Sequence, residues 1–160
     1  MEEDKDFDFE VTYDGLKEKY GLPEIDAIAE DFDIEKLYDK EHDFLIREIR
    51  RAINEKISGY LQLLETLINP SAPPMFVFSI LKNISEKDRE VIKEIYKKLS
   101  IVQIEVMKLD TVYREEAEAK FIVETFKMWQ DLKLKLYGLI EGFEAGLEEG
   151  DSSNKKSYFG

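Results

Sequence analysis

The chain of 160 residues contains no cysteine and only one histidine, His42. The absence of cysteine excludes disulfide bonds, zinc sites built on thiolates, and thiol nucleophiles. Multi-histidine metal sites are excluded as well, and a histidine acid–base mechanism would depend on His42 alone. His42 lies in a charged stretch without a nucleophile motif, so we expect it to be an exposed residue near a helix start. Phosphate-loop and dinucleotide-binding motifs do not occur. We expect no catalytic residue, no metal site and no cofactor.

Long hydrophobic runs are also missing. No stretch of about 18 apolar residues occurs, so the sequence predicts no membrane-spanning segment and no membrane partner. The acidic opening, residues 1–10, has no apolar run behind it, and we expect no secretory signal. The predicted location is the cytoplasm.

Basic residues are outnumbered, with 23 Lys and Arg against 36 Asp and Glu, for a net charge of −13. Nucleic acid is an unexpected partner for the chain on its own, because phosphate binding needs a local excess of Lys and Arg. The balance favours a basic or neutral protein partner. Abundant Glu, Lys and Ile with scarce Gln and Cys is the bias described for hyperthermophilic proteins.

The apolar residues, 43% of the chain, recur in steps of three and four. This period predicts three long helices over residues 40–69, 85–109 and 112–147. We therefore predict an all-α fold, an up-down bundle of three long helices. Either Asp110 or Thr111 can cap the third helix. The alternative is one continuous helix over residues 85–147.

Three segments divide the chain in this interpretation. Residues 1–38 are an acidic N-terminal arm with short helical turns, residues 39–148 are the bundle, and residues 149–160 are a disordered tail. Within the arm, the apolar residues of 7–13 alternate with polar ones, which is typical of a short strand. A disordered arm with some aromatic contacts is the alternative.

An apolar run at residues 75–81 follows two prolines. It predicts a short helix covering one end of the bundle, a strand beside residues 7–13, or an exposed docking patch. In the helix over residues 85–109, Ile101 and Ile104 lie off the main apolar stripe. Such residues indicate a second neighbour, either the apolar run or another subunit.

Three glycines spaced four apart lie inside the last predicted helix, where each costs about 1 kcal/mol relative to alanine. They allow another helix to approach closely, or they mark a frayed end. The candidate interface is either this glycine side or the apolar run at residues 75–81. Its candidate residues are Gly138, Gly142, Gly146 and Leu134 on the glycine side, and Phe76 and Phe78 in the run.

The densest basic patch comprises Arg47, Arg50 and Arg51. It is a candidate anion site, or else a solvated face whose arginines pair with acidic residues. Clustered carboxylates at Glu115–Glu118 open the last helix. They are candidates for binding Mg²⁺, or they complement the helix dipole.

Three hypotheses about function follow. The first is a non-enzymatic interaction or scaffold module that associates with itself. The second is a Mg²⁺-dependent enzyme on phosphorylated small molecules, with metal bound by Glu115, Glu116 or Glu118 and phosphate by Arg47 or Arg50. The third is a small helical subunit of a nucleic-acid complex, docked through protein contacts. The sequence names no partner or substrate.

Overall fold

The computed structural model describes residues 7–158, with side chains described for residues 7–149. Over this range the chain is all-helical and contains no strand. Helices α3, α5 and α6 pack against one another, which confirms the predicted bundle of three long helices. The elements are α1 (Phe9–Tyr20), α2 (Ile25–Asp31), a 3-10 helix (Glu35–Leu37), α3 (Leu45–Ile68), α4 (Met75–Asn83), α5 (Glu86–Thr111) and α6 (Glu115–Tyr158).

Each long helix contributes one segment to each of two compact units. The first unit takes the described residues of Met1–Ser58 together with Ile101–Met128. The second takes Gly59–Ser100 with the described residues of Trp129–Gly160. Within the first unit, the N-terminal part of α3 lies with the C-terminal part of α5 and the N-terminal part of α6. That alternation is the one an up-down bundle requires.

The core of the first unit is built from the predicted stripe of α3 and from the N-terminal elements. Lys36 of the 3-10 helix forms an ion pair with Glu55 of α3. Tyr20 of α1 donates a hydrogen bond to Glu115 of α6. These contacts hold the N-terminal elements against the long helices. Buried residues include Phe9, Tyr13, Ile28, Phe32, Ile34, Ile46, Ile49, Ile53, Ile57, Val106 and Ile122.

Helix α1 replaces the strand or disordered arm that the alternation at residues 7–13 predicted, and that prediction is wrong. Asp8 caps the helix by accepting the Val11 N–H at 3.3 Å. Phe9 and Tyr13 are buried, whereas Val11 is 68% exposed. Residues four apart share one face of a helix, so this pair satisfies the helical period as well as the strand period.

Gly21 ends α1. Its φ of 68° lies in the left-handed region, and its N–H donates to the Lys17 carbonyl. Glycine adopts this conformation without the steric penalty that a Cβ imposes.

The second unit contains the remaining halves of the three stripes, covered by α4. The apolar run at residues 75–81 is helical, and Val77 and Ile80 are buried. Met75, Phe76 and Phe78 remain exposed on its other side. The run is therefore part core cover and part exposed surface, and it is not a strand. Buried residues of the unit include Leu64, Leu67, Ile92, Ile95, Leu99, Trp129, Leu132, Leu136, Leu139 and Phe143.

The predicted break between α5 and α6 is confirmed, but the predicted caps are wrong. Asp110 lies within α5 and pairs with Arg50 at 2.8 Å. The Thr111 hydroxyl donates back to the Met107 carbonyl. The Arg114 carbonyl accepts the N–H of Glu118 in the first turn of α6. The helix bounds also differ from prediction. Helix α3 begins five residues later, at Leu45, and α6 begins three residues later, at Glu115, and extends further, to Tyr158.

The predicted tail over residues 149–160 falls largely on α6, which continues to Tyr158. No proline follows Leu147, and a glycine at position 150 weakens a helix by only about 1 kcal/mol. Residues 159 and 160, and the predicted arm over residues 1–6, lie outside the described residues.

Replacing Gly138 with alanine should stabilise the fold. A Cβ at this position meets nothing within 4 Å, and the residue lies inside α6. We expect the free energy of unfolding to rise by roughly 0.5–1 kcal/mol, measured by chemical denaturation. Gly21→Ala is the matched control and should lower it by about 1 kcal/mol or more, because φ is positive there. A lower free energy of unfolding in Gly138→Ala would contradict the finding that a Cβ at position 138 has free space around it.

Tyr13 should make the fold sensitive to alkaline pH. Burial raises the pKa of its phenol, with a smaller contribution from Glu24 and Asp14. Its hydroxyl donates to the Pro23 carbonyl. A group whose pKa is raised on folding stabilises the fold fully below its unfolded pKa, about 10 for tyrosine, and loses that contribution as the pH rises further.

Tyr13→Phe tests this. At neutral pH the variant should be about 1 kcal/mol less stable than the natural chain, since the hydrogen bond is lost. The gap in melting temperature should narrow above about pH 10, where the natural chain must keep Tyr13 protonated. Tyr96→Phe, at a half-buried tyrosine of α5, is the control. A gap that stays constant with pH would contradict the assignment.

Candidate functional site

The side chains of Arg50 and Glu118 form an ion pair inside the first unit. They are only 1% and 0% exposed. The Arg50 Nε–H donates to Glu118 Oε2 at 2.7 Å, and Nη2 donates to Oε1 at 3.0 Å. Asp110, half-exposed on α5, accepts from Nη2 at 2.8 Å. Burial lowers the pKa of Arg50, but the hydrogen bonds to Glu118 and Asp110 outweigh burial and raise it above its ordinary value. The guanidinium thus joins three helices.

The three arginines of the candidate anion patch do not share one exposed face. Arg50 is buried, and half-exposed Arg51 pairs with Glu48 at 3.1 Å. Arg50 and Arg51 do line a cleft of about 370 Å³, but Glu55 and Asp110 line it too. Two cations therefore face two carboxylates, so the cleft has no excess positive charge for an anion.

Arg47 does not line that cleft and lies against two aromatic rings that contact each other. Its guanidinium carbon is 4.8 Å from the ring centre of Phe44 and 5.4 Å from that of Tyr113. Its Nε is buried and has no hydrogen-bond partner. Cation–π attraction of this kind contributes about 0.5–2 kcal/mol. Arg47 therefore connects the start of α3 to the residue pair that precedes α6.

The candidate carboxylates at the start of α6 point to different partners. Glu118 is bound by Arg50, whereas Glu115 accepts from Tyr20 at 2.7 Å and from Lys19 at 3.4 Å. Glu116 is exposed. Among the side chains of residues 7–149, no group of three or more histidine and carboxylate side chains is placed to hold a metal ion.

His42 is half-buried, whereas an exposed position was expected. Its Nε2 lies 3.0 Å from the Leu37 carbonyl oxygen. The edge of its ring faces Phe7, with 6.2 Å between ring centres. These contacts make His42 part of the packing beside the 3-10 helix.

The candidate glycines divide between packing and open surface. A Cβ at Gly146 would lie 3.1 Å from the Asn83 Cβ, and one at Gly142 would lie 3.8 Å from Asp88 Oδ2. Both glycines thus face the end of α4 and the start of α5 within the second unit. Gly138 meets nothing within 4 Å, and the neighbouring Leu134 is exposed. Close approach at Gly146 therefore serves the chain's own fold.

Large hydrophobic side chains are exposed in sets of neighbours on three helices. The sets are Met75, Phe76 and Phe78 on α4, Ile101, Ile104 and Met107 on α5, and Leu134, Tyr137 and Ile140 on α6. Ile140 is 42% exposed, although Leu139 beside it is buried. Sequence reasoning missed Met107, although it continues the row of Ile101 and Ile104 by a further step of three. We call the α5 set the α5 ridge and the α4 set the α4 face.

A groove of about 1020 Å³ runs between α5 and α6 in the first unit, and we call it the α5–α6 groove. Its lining includes buried Val102, Leu109 and Phe121. A second cleft, of about 420 Å³, lies beside the α4 face in the second unit. Phe78 and Leu81 line it together with two cations, Lys82 and Arg89. Both hollows are apolar with charged residues at their edges.

Replacing Arg50 with methionine should destabilise the fold by about 3–5 kcal/mol, because Glu118 would keep a buried charge without a partner. Adding Glu118→Leu should restore much of that loss, since both charges are then gone. Arg51→Met, which breaks an exposed pair, is the control and should change stability by less than about 1 kcal/mol. Chemical denaturation measures all three. Equal losses in Arg50→Met and Arg51→Met would contradict the burial of the pair.

No helix of the described residues is long and apolar enough to cross a membrane. Comparisons of the chain with protein-family models, with curated proteins and with solved structures find no match.

Proposed function

We propose that the chain is a non-enzymatic protein-interaction module that associates with itself, and that it acts in the cytoplasm. The observation that supports this is the exposure of large hydrophobic side chains in sets of neighbours on α4, α5 and α6. Single exposed hydrophobic residues are ordinary in monomeric proteins, whereas contiguous ones mark interaction surfaces.

A magnitude indicates how strong such association is. Ile101, Ile104 and Met107 are 54%, 54% and 69% exposed, so burying the exposed part of each contributes roughly 1 kcal/mol. A two-fold interface uses each residue twice, for a total of roughly 6 kcal/mol. Lost translational and rotational freedom costs about 4–15 kcal/mol. The free energy gained by burying the ridge alone is at the low end of that cost. We therefore expect weak association that becomes detectable as the protein concentration rises.

Net charge opposes the association. Two copies that each carry −13 repel one another. Dissolved salt screens this repulsion, with a Debye length of about 10 Å at 0.1 M ionic strength. Self-association of this chain should therefore strengthen as salt is added, whereas an interface held by ion pairs between copies would weaken.

The two alternatives draw less support from the geometry. A magnesium-dependent enzyme needs carboxylates free to bind metal, and Glu118 and Glu115 already accept hydrogen bonds from Arg50 and Tyr20. A nucleic-acid subunit needs an exposed basic surface, and Arg50 is buried. Arg51 is paired with Glu48. Neither alternative has an observation that favours it over self-association.

The mass of the full chain in solution tests the proposal. We expect sedimentation and native mass spectrometry to show a dimer or larger assembly as the protein concentration rises. The assembled fraction should be greater at about 0.5 M than at about 0.05 M salt. A chain that keeps the mass of one copy at every concentration and salt level would overturn self-association as its function.

A further inference from the structure

The α5–α6 groove has an apolar floor and an open apolar edge. Val102 and Phe121, at 7% and 6% exposure, form part of the floor. Ile101 and Val112 also line the groove but are more than half exposed. All of these residues belong to the first unit. The groove is therefore a hollow in which apolar surface meets solvent.

The α5 ridge stands directly beside this groove. Ile101 belongs to both features, and Ile104 and Met107 follow it in steps of three along the outer side of α5. The buried stripe of α5, which includes Val102 and Val106, faces the opposite way. The ridge thus begins at the edge of the groove, at Ile101, and continues away from it around α5 through Ile104 to Met107.

The charges around the groove cancel. Three acidic and three basic side chains line it, and all six are exposed. Two pairs already neutralise each other along their helices, Glu105 with Lys108 at 2.9 Å and Lys120 with Glu124 at 3.9 Å. This rim carries zero net charge in a chain of −13. The rim residues are Glu105, Lys108, Arg114, Glu116, Lys120 and Glu124.

The geometry points to a second copy of this chain as the occupant of the α5–α6 groove, bound about a two-fold axis. In such an interface the same surface meets itself, so the α5 ridge of each copy enters the groove of the other. A neutral rim with both signs of charge is complementary to itself, which a rim of one sign is not. This inference rests on the proposed self-association and names its surface.

The cleft beside the α4 face does not meet the same requirement. Its charged lining residues, Lys82 and Arg89, are both basic. In a two-fold interface centred on this cleft, the basic side chains of one copy would meet those of the other, and like charges held together in an interface oppose binding. The α4 face is therefore the weaker candidate for an interface between identical copies.

Reversing charges on the rim tests the inference in the full chain. Lys108→Glu with Lys120→Glu, the acidic-rim variant, takes the rim from zero to −4, since each change subtracts two charges. Glu105→Lys with Glu124→Lys, the basic-rim variant, takes it to +4 in the same way. Each variant alone should dissociate, with a dissociation constant about a hundredfold higher or more. Native mass spectrometry and sedimentation measure this.

Mixing the two rim variants supplies the decisive result. Opposite rims attract, so the mixture should form a heterodimer that neither variant forms with itself. Circular dichroism should show native helix content in each, because the changed residues are exposed. Failure of the mixed variants to associate, while the natural chain forms dimers, would overturn the two-fold arrangement.

A matched control separates this face from the effect of total charge. Lys17→Glu with Lys36→Glu changes the total charge equally and also breaks two exposed ion pairs, to Glu24 and Glu55. Neither lysine lines the groove. This control should remain dimeric. If it dissociates as the acidic-rim variant does, the total charge of the chain governs association. That result would overturn the α5–α6 groove as the interface.

The apolar part of the interface is tested by Ile104→Glu, at the middle of the α5 ridge. We expect this variant to have the mass of one copy. A natural chain that is itself monomeric would overturn the proposed function together with this inference. A natural chain that is dimeric, with Ile104→Glu and the rim variants equally dimeric, would leave the proposed function standing and overturn the α5–α6 surface. Phe76→Ser and Gly138→Leu would then locate the interface elsewhere.

Discussion

The buried pair of Arg50 and Glu118 is the constraint on which the first unit depends. Taking two charges out of water costs several kcal/mol for each ion, and only good geometry with two hydrogen bonds offsets it. The two side chains meet with two hydrogen bonds, and Asp110 takes a third. A shift of α3 along α6 would break both hydrogen bonds and leave the Glu118 charge buried without Arg50. The pair therefore selects the register in which α3, α5 and α6 meet, in addition to any net stability that it supplies.

Other polar contacts act in the same direction. The Gln103 amide of α5 donates to Asn54 and Ser58 of α3, at 2.7 and 3.2 Å. In the second unit, Lys135 of α6 donates to Glu94 of α5 at 3.0 Å. That bridge is exposed, and hydrogen bonds and charge from Lys135 and Lys98 lower the pKa of Glu94. Directional contacts between the long helices thus occur in both units, and each favours one helix register.

The surface left after this packing is what distinguishes the protein. The apolar stripes of α3, α5 and α6 are buried, yet the α5 ridge and the α4 face still expose apolar side chains to water. A chain that carries a net charge of −13 repels its own copies over most of its surface. The self-association that we propose needs a place where apolar surface and balanced charge coincide, and the lining of the α5–α6 groove has both. The charged residues that line the α4 cleft are both basic, so the cleft does not have that balance.

The sequence by itself determined the all-α class, the three long helices and the break before α6, because helical periodicity is a local property. Tertiary structure decided the rest. The spacing of Phe9 and Tyr13 fits a strand period and a helix period equally. These residues form a helix in the structure, where both are buried against neighbouring elements. Arg50 looked like its exposed neighbours because Glu118, its partner, lies 68 residues away. The role of Gly146 likewise depends on its contact with Asn83 in the tertiary structure. A local sequence pattern does not indicate which distant residue will pack against a given position.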